Sequence, residues 1–182
     1  IALGWVINLT QQGLASMGRL NEILEMEPEI ADGDNVREDI ESIKGDIEFQ
    51  NVELAFDDAL VLKNISLKIP AGKTVAIVGP IGSGKSTLVN LIPRLLEATS
   101  GKVLVDGVEI SQIPLATLRK HIGFVPQETF LFSDSIEENI RFGRPDASED
   151  ATLQAMTVSQ LKRDVDQFPD GYETMLGERG IN

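Results

Sequence analysis

The sequence predicts an α/β fold, on the strength of three observations. Residues 74–78 form a continuous apolar and β-branched run, which is typical of a strand buried on both faces of a parallel sheet. A glycine-rich loop and then a helix follow this run. Residues 47–56 and 62–69 read as strands separated by polar turns, so we expect two antiparallel strands to precede the buried one. With 42% hydrophobic residues, the 182-residue chain is long enough for one sizeable core.

The first 26 residues predict an N-terminal helix, because they lack proline and place apolar side chains at close to helical spacing. Trp5 is a residue type found at membrane interfaces, whereas charged residues such as Arg19 appear in the later part. Two interpretations are open: the cytoplasmic end of a membrane-spanning helix, or a soluble amphipathic helix packed on the domain. The chain begins with Ile1 and ends abruptly at Asn182, so we expect it to be part of a longer protein.

Residues 27–44 are acidic and aperiodic, which predicts a solvated linker and a domain boundary before residue 45. Beyond the glycine-rich loop we expect strands and helices in alternation. They are a strand at 101–106, a helix at 114–120, a second buried strand at 122–125, and helices at 135–142 and 148–157. Ser135 should cap its helix, with Glu138 three residues later as its capping-box partner.

The glycine-rich loop carries the chemistry. Residues 79–86 fit G-x-x-x-x-G-K-[ST], a loop whose backbone amides cradle phosphate groups. Side chains at Gly82 or Gly84 would block the close approach of a polyanion to the backbone. We expect Lys85 to reach the β and γ phosphates, and the hydroxyl of Ser86 to bind Mg²⁺. The sequence therefore predicts a nucleoside triphosphate site in a P-loop NTPase fold.

Composition excludes some partners. The net charge of −13 argues against a nucleic-acid partner, because binding to a phosphate backbone requires Lys and Arg surfaces. The chain has no cysteine, which excludes disulfides and thiolate metal sites. His121 lies beside Arg119 and Lys120 and is assigned no role as a base or a ligand.

Two further side chains have alternative interpretations. Phe56 ends the first strand about thirty residues before the loop lysine, where an aromatic ring could stack on adenine or could belong to the core. Gln127 directly follows the second buried strand. Ligands collect at the carboxyl ends of such strands, so this side chain could meet Mg²⁺ or the attacking water, or could only cap a loop.

Four segments in a fixed order narrow the class of P-loop protein. They are L-K-N-I-S-L-K-I-P-A-G-K-T-V-A-I-V-G, then G-P-I-G-S-G-K-S-T, then L-R-K-H-I-G-F-V-P-Q-E-T-F-L-F-S-D-S-I-E-E-N-I, and finally G-E-R-G. In sequence and spacing they resemble the nucleotide-binding domain of ATP-binding-cassette (ABC) transporters of the exporter type. The resemblance covers residues 45–182, and more weakly the N-terminal helix.

The resemblance implies a site for ATP and Mg²⁺. Phe56 would stack on adenine, and Gln127 would contact Mg²⁺ and sense the γ phosphate. Lys85 and Gln127 would be the catalytic groups, and Ser86 would ligate the metal together with Gln127. The Walker A loop would consist of Gly79, Pro80, Ile81, Gly82, Ser83, Gly84, Lys85, Ser86 and Thr87.

The resemblance also implies partners and a location at the cytoplasmic face of the cell membrane. Residues 130–140 would receive the coupling helices of a transmembrane domain, and residues 1–26 would be the inner end of its last helix. A second nucleotide-binding domain would pair head to tail with this one. Residues 178–180 would form the loop just ahead of the signature motif.

The family's signature motif, Walker B aspartate, catalytic glutamate and switch histidine do not occur before Asn182. Two hypotheses follow. The full-length protein is an ATPase that couples hydrolysis to export, or the 182-residue chain as it stands is a non-hydrolytic nucleotide-binding or interaction module. A soluble P-loop kinase is a third interpretation, which the Q-loop match and the apolar N-terminal segment disfavour. The sequence identifies neither the transported substrate nor whether the partner is a second copy.

Overall fold

The computed structural model describes residues 2–57, 59–128 and 130–177. It divides into two compact units, Ile1–Phe124 and Val125–Asn182, which we call the first and the second unit. The G-E-R-G motif at 177–180 lies mainly outside the described residues, so the prediction for 178–180 stays a prediction.

The chain begins with helix α1 (Ala2–Leu24), which confirms the predicted N-terminal helix. No side chain between Gly4 and Leu24 is buried, and Trp5 is 67% exposed. The interpretation of α1 as an amphipathic helix packed on the domain is therefore wrong, because none of the apolar side chains described between Gly4 and Leu24 is buried against a core. Among the residues that the structure describes, none of the helices combines the length and the hydropathy that a membrane crossing needs.

The first unit contains a four-stranded sheet. Its strands are β1 (Ile47–Phe56), β2 (Ala59–Ile69), β3 (Ser100–Val105) and β4 (Val108–Glu109). They lie in the order β2-β1-β3-β4, and every pair is antiparallel. The predicted antiparallel hairpin is confirmed, with Ile47 paired to Ile69 at one end and Phe56 to Ala59 at the other.

The core of the first unit lies on one face of this sheet. Helices α2 (Lys85–Leu91) and α3 (Leu115–Lys120) pack their apolar side chains there. The buried residues are Phe49, Val52, Leu54, Leu62, Leu88, Leu91, Val103, Val105, Ile110, Ile113 and Leu118. Since α2 follows the glycine-rich loop directly, its burial anchors one end of that loop.

The acidic segment 27–44 is more firmly attached than a solvated linker. Asp32 Oδ1 accepts a hydrogen bond from the backbone N–H of Leu115 at 2.9 Å, and the N–H of Arg37 donates to the carbonyl of Gln112 at 2.8 Å. Ile40 and Ile43 are half-buried against the core. The predicted domain limits at 26 and 44 stay predictions.

Neither predicted parallel strand forms. Residues 74–78 and 122–125 have no strand pairing, and Val78 and Val125 are 88% and 87% exposed. A strand exists only when a neighbour accepts and donates its ladder hydrogen bonds. The sheet of the described residues contains antiparallel pairs only. Residues 74–78 and 122–125 therefore have the composition of buried strands, but no described strand pairs with them.

The second unit is helical. It contains α4 (Ile136–Arg141), α5 (Glu149–Val158) and α6 (Leu161–Val165), of which only α6 was not predicted. Ile136, Met156 and Val165 form its small core.

Of the two hydrogen bonds in the capping box predicted for α4, one is confirmed. Ser135 Oγ accepts from the N–H of Glu138 at 3.1 Å. The reciprocal bond comes from another residue, because Asp134 Oδ1, and not Glu138, accepts from the N–H of Ser135 at 2.7 Å.

Candidate functional site

The glycine-rich loop connects residues 74–78 to α2. Gly82 and Gly84 both have a φ of 81°, in the left-handed region that glycine adopts without strain. α2 begins immediately afterwards at Lys85. The backbone path of the predicted phosphate-binding loop therefore depends on glycine at two of its positions.

The two glycines have different surroundings. A Cβ at Gly84 would lie 2.9 Å from Leu62 Cδ2 and 3.4 Å from the carbonyl oxygen of Val61, both in β2. A Cβ at Gly82 would meet nothing within 4 Å, so only its backbone conformation requires glycine there. Strand β2, in the hairpin with β1, thus packs against the loop at Gly84. The loop at Gly82 has no such neighbour.

The ammonium group of Lys85 is turned onto the loop itself. Its Nζ donates to the carbonyls of Gly79 at 3.0 Å and Pro80 at 2.7 Å, and lies 3.4 Å from Ser83 Oγ. All three acceptors are neutral. Phosphate oxygens carry charge and form stronger hydrogen bonds with an ammonium group. The Lys85 ammonium group therefore lies at the loop, where a phosphate could replace its neutral acceptors.

The backbone amides of the loop fit a phosphate ligand. Within the described part of the chain, the N–H groups of Ile81, Gly82 and Gly84 donate no hydrogen bond. The hydroxyls of Ser86 and Thr87, at the start of α2, also have no partner among the described residues. Unpaired donors around a glycine loop are the arrangement that binds anions, and a free serine hydroxyl suits a hard cation such as Mg²⁺.

Phe56 lies at the end of β1 and is 48% exposed. Val52 and Leu54, which precede it at alternate positions, are 0% and 2% exposed. Leu54 pairs with Leu62, the residue that lies against the glycine loop. Phe56 therefore lies outside the core at the end of β1, next to the strand that supports the loop, so it is not an ordinary core residue.

Gln127 belongs to the second unit and is exposed. It does not terminate a strand, because 122–125 is not one. Its predicted contacts with Mg²⁺ and with the γ phosphate stay predictions. His121 Nδ1 lies 2.8 Å from the carbonyl of Thr117, one helical turn earlier.

The family model described as "ABC transporter" matches residues 62–177. The chain belongs to the ABC transporter family. The match includes the glycine loop, Gln127 and the helices of the second unit. The prediction of an α/β P-loop domain with an antiparallel sheet of the ABC exporter kind is confirmed by this match and by a solved structure.

Several proteins are similar in sequence to this ABC transporter chain. It is 43% identical over 177 residues to the uncharacterized ABC transporter ATP-binding protein YwjA of Bacillus subtilis, covering 97% of this chain and 31% of that protein. It is 50% identical over 141 residues to the mitochondrial iron-sulfur clusters transporter ATM1 of Candida albicans, covering 77% and 19%. An ATP-dependent lipid A-core flippase of Syntrophus aciditrophicus is 42% identical over 175 residues.

The solved structure is that of a bacterial Atm1-family ABC exporter with ATP bound. It matches 98% of this ABC transporter chain and 31% of its own, with a TM-score of 0.84 and 35% sequence identity. The chain therefore spans less than a third of the length of these relatives. Because the relatives are transporters, they favour the transporter hypothesis over a soluble kinase.

Sequence reasoning assigned no role to Thr99, which in this ABC transporter chain is hydrogen-bonded to Ala55, the residue before Phe56. Thr99 Oγ1 accepts from the N–H of Ala55 at 3.0 Å, and its own N–H donates to the carbonyl of Glu53 at 2.9 Å. The hydroxyl contact joins residues 44 positions apart, so no local pattern could have predicted it.

Proposed function

We propose that this chain is the ATP-binding part of an ABC exporter that couples the binding and hydrolysis of ATP to transport of a substrate across a membrane. The observation that carries the proposal is the glycine loop, where the Lys85 ammonium group and three unpaired amides lie around one backbone turn. The ATP-bound exporter that shares this fold supports it.

Five residues of the loop, together with Phe56, have proposed parts in binding MgATP. The amides of Ile81, Gly82 and Gly84 hold the phosphate chain, and Lys85 exchanges its neutral acceptors for the β and γ phosphate oxygens. Ser86 offers its hydroxyl to Mg²⁺, which would neutralise negative charge on the phosphates. Phe56 receives the adenine ring. Catalysis of phosphoryl transfer to water then depends on positioning and on charge neutralisation.

The proposed partners are a transmembrane domain and a second nucleotide-binding domain that pairs head to tail. The exposed apolar residues of α1 fit the inner end of a membrane helix, and the exposed aromatic residues of the second unit fit the surface that meets the membrane domain. Such an assembly would place this domain at the cytoplasmic face of the cell membrane.

Lys85→Ala in the complete natural polypeptide tests the proposal. Each charge-assisted hydrogen bond is worth about 1.5–3 kcal/mol, so losing the ammonium group should weaken MgATP binding by about a hundredfold or more and stop transport-coupled hydrolysis. Lys120→Ala, at the exposed end of α3, is the matched control and should bind MgATP normally. Tight MgATP binding and full hydrolysis by Lys85→Ala would overturn the proposed function.

A further inference from the structure

The end of β1 pairs with β2 but not with β3. β1 pairs with β3 only as far as Glu53, which lies opposite Ser100. Its last two residues, Ala55 and Phe56, pair with β2 alone. The backbone that carries Phe56 therefore lacks ladder hydrogen bonds on one side.

Thr99 supplies the missing contact. Its N–H donates to the carbonyl of Glu53 at 2.9 Å, and its hydroxyl accepts from the N–H of Ala55 at 3.0 Å. Ser100 Oγ adds a hydrogen bond to the Glu53 carboxylate at 3.2 Å. Beyond Glu53, β3 no longer pairs with β1. On that side of β1 the Thr99 hydroxyl takes the place of a strand and binds the N–H of Ala55, two residues further on.

The residue after Ala55 is the half-exposed Phe56. A ring that stacks on a flat ligand must be held at a defined height, and its backbone fixes the Cα–Cβ bond from which the ring extends. We propose that Thr99 is a positioning residue for base recognition, whose hydroxyl holds the N–H of Ala55 and thereby orients the Phe56 ring toward an adenine base. This inference rests on the proposed function, because it assigns a further residue to the same ATP site.

The phosphate half of the site does not depend on this contact. The loop at 79–86 is held by α2, by Lys85 and by the contact of Gly84 with β2. Removing the Thr99 hydroxyl should therefore weaken the binding of a ligand that has a base, and should leave the binding of a bare phosphate chain unchanged.

The experiment compares two probes on the complete natural polypeptide, ATP and inorganic tripolyphosphate, each with Mg²⁺. Thr99→Val removes the hydroxyl and keeps the shape. Because a single partly exposed hydrogen bond is lost, we expect the Kd for ATP to rise about two- to fivefold while the Kd for tripolyphosphate is unchanged. Thr99→Ser keeps the hydroxyl and should restore the affinity for ATP.

The matched control is a second substitution that also removes a side-chain hydrogen bond to β1. Ser66 Oγ accepts from the N–H of Asn51 in β1 at 3.0 Å, the same kind of bond five residues before Phe56. Ser66→Ala should lower stability without changing the ratio of the two dissociation constants.

A double-mutant cycle tests the route through the ring. Phe56→Ala alone should weaken ATP about tenfold, as expected for a lost base stack, and spare tripolyphosphate. In that background Thr99→Val should add almost nothing, because the ring on which it acts is gone.

The outcomes separate this inference from the proposed function. If Thr99→Val weakens ATP and tripolyphosphate equally, or if its effect is fully additive with Phe56→Ala, Thr99 has only a structural role and the inference is overturned while the ATP site stands. If the unmodified protein binds neither probe, the proposed function itself is wrong.

Discussion

Gly84 illustrates how one residue links the hairpin to the phosphate loop. It combines a φ of 81° with a buried neighbour, Leu62, whose Cδ2 would have to move to admit a methyl group. Gly107, in the turn between β3 and β4, has a φ of 80° and open space around it. The two positions therefore separate the energy of backbone strain from the energy of a steric clash.

We expect Gly84→Ala to lower the free energy of unfolding by about 2–4 kcal/mol, because overpacking adds to the strain of a positive φ. Gly107→Ala should lower it by only about 1 kcal/mol. Gly84→Ala should also weaken ATP binding, and Gly107→Ala should not. Urea unfolding and ATP titration of both variants measure these differences, and equal losses of stability would show that β2 does not support the loop.

At the residue scale the sequence predicted which residues form the phosphate loop. The motif G-x-x-x-x-G-K-[ST] lies within eight consecutive residues, and each of its specified positions has a role in binding phosphate or Mg²⁺. It did not predict that Gly82 and Gly84 differ in their surroundings. That difference comes from Val61 and Leu62 of β2, which lie more than twenty residues before Gly84 in the chain.

At the scale of elements, Asp106 joins the acidic segment to the sheet. Its carboxylate accepts from the N–H groups of Lys44 at 2.6 Å, Gly45 at 3.1 Å and Asp46 at 3.0 Å. Asp106 itself has a φ of 53°, in the turn that begins β4. One side chain therefore satisfies three consecutive amides and holds the entry into β1 against the end of β3.

Asp106→Asn tests this arrangement, because asparagine tolerates the same backbone conformation but loses the charge. We expect a loss of about 1–2 kcal/mol in the free energy of unfolding, and faster hydrogen exchange at the amides of residues 44–46. Asp39→Asn is the matched control, since Asp39 forms only an exposed ion pair with Arg37 and should change stability by less than about 0.5 kcal/mol. Unchanged exchange at 44–46 in Asp106→Asn would contradict the assignment.

The elements also show where periodicity fails as a predictor. The hairpin, α1, α3, α4 and α5 were predicted because each follows from its own spacing or cap. Residues 74–78 and 122–125 were predicted as strands on composition alone. A strand additionally needs a neighbour at hydrogen-bonding distance, and no segment among the described residues pairs with either run.

At the scale of the whole molecule, the second unit presents an aromatic cluster, which we define as Phe130, Phe132 and Phe142. The rings of Phe130 and Phe132 have centroids 5.0 Å apart at 82°, and those of Phe132 and Phe142 are 4.3 Å apart at 30°. Phe132 is held by Asn139, whose side chain accepts from its N–H at 2.7 Å and donates to its carbonyl at 3.0 Å.

The rings of the aromatic cluster pack on one another yet are exposed, since Phe130, Phe132 and Phe142 are 68%, 41% and 64% accessible. Contiguous exposed apolar surface commonly marks an interaction site. The surface predicted for the transmembrane domain, residues 130–140, includes two of these three rings. The prediction of that partner gains support from the packing of the rings, and it stays a prediction.

Phe132→Ser in the complete polypeptide should leave ATP affinity unchanged and lower the rate of transport-coupled ATP hydrolysis severalfold, because the nucleotide loop is intact while the partner contact is weakened. Phe168→Ser is the matched control, as Phe168 is a 45% exposed phenylalanine of the same unit outside the cluster. Both variants are compared by ATP titration and by steady-state hydrolysis in lipid. A normal rate for Phe132→Ser, or an equal loss in both variants, would argue against the aromatic cluster as the coupling surface.

The sequence by itself determined the features whose cause is local. The glycine loop, the hairpin, the N-cap of α4 and the family resemblance all follow from spacing within short segments. The tertiary structure decided the features that depend on distant partners: the contact of Thr99 with Ala55, the contacts of Asp106 with residues 44–46, and the failure of 74–78 to form a strand. The physical reason is that a hydrogen bond or a packed face needs a second group, and only the folded chain determines which group lies there.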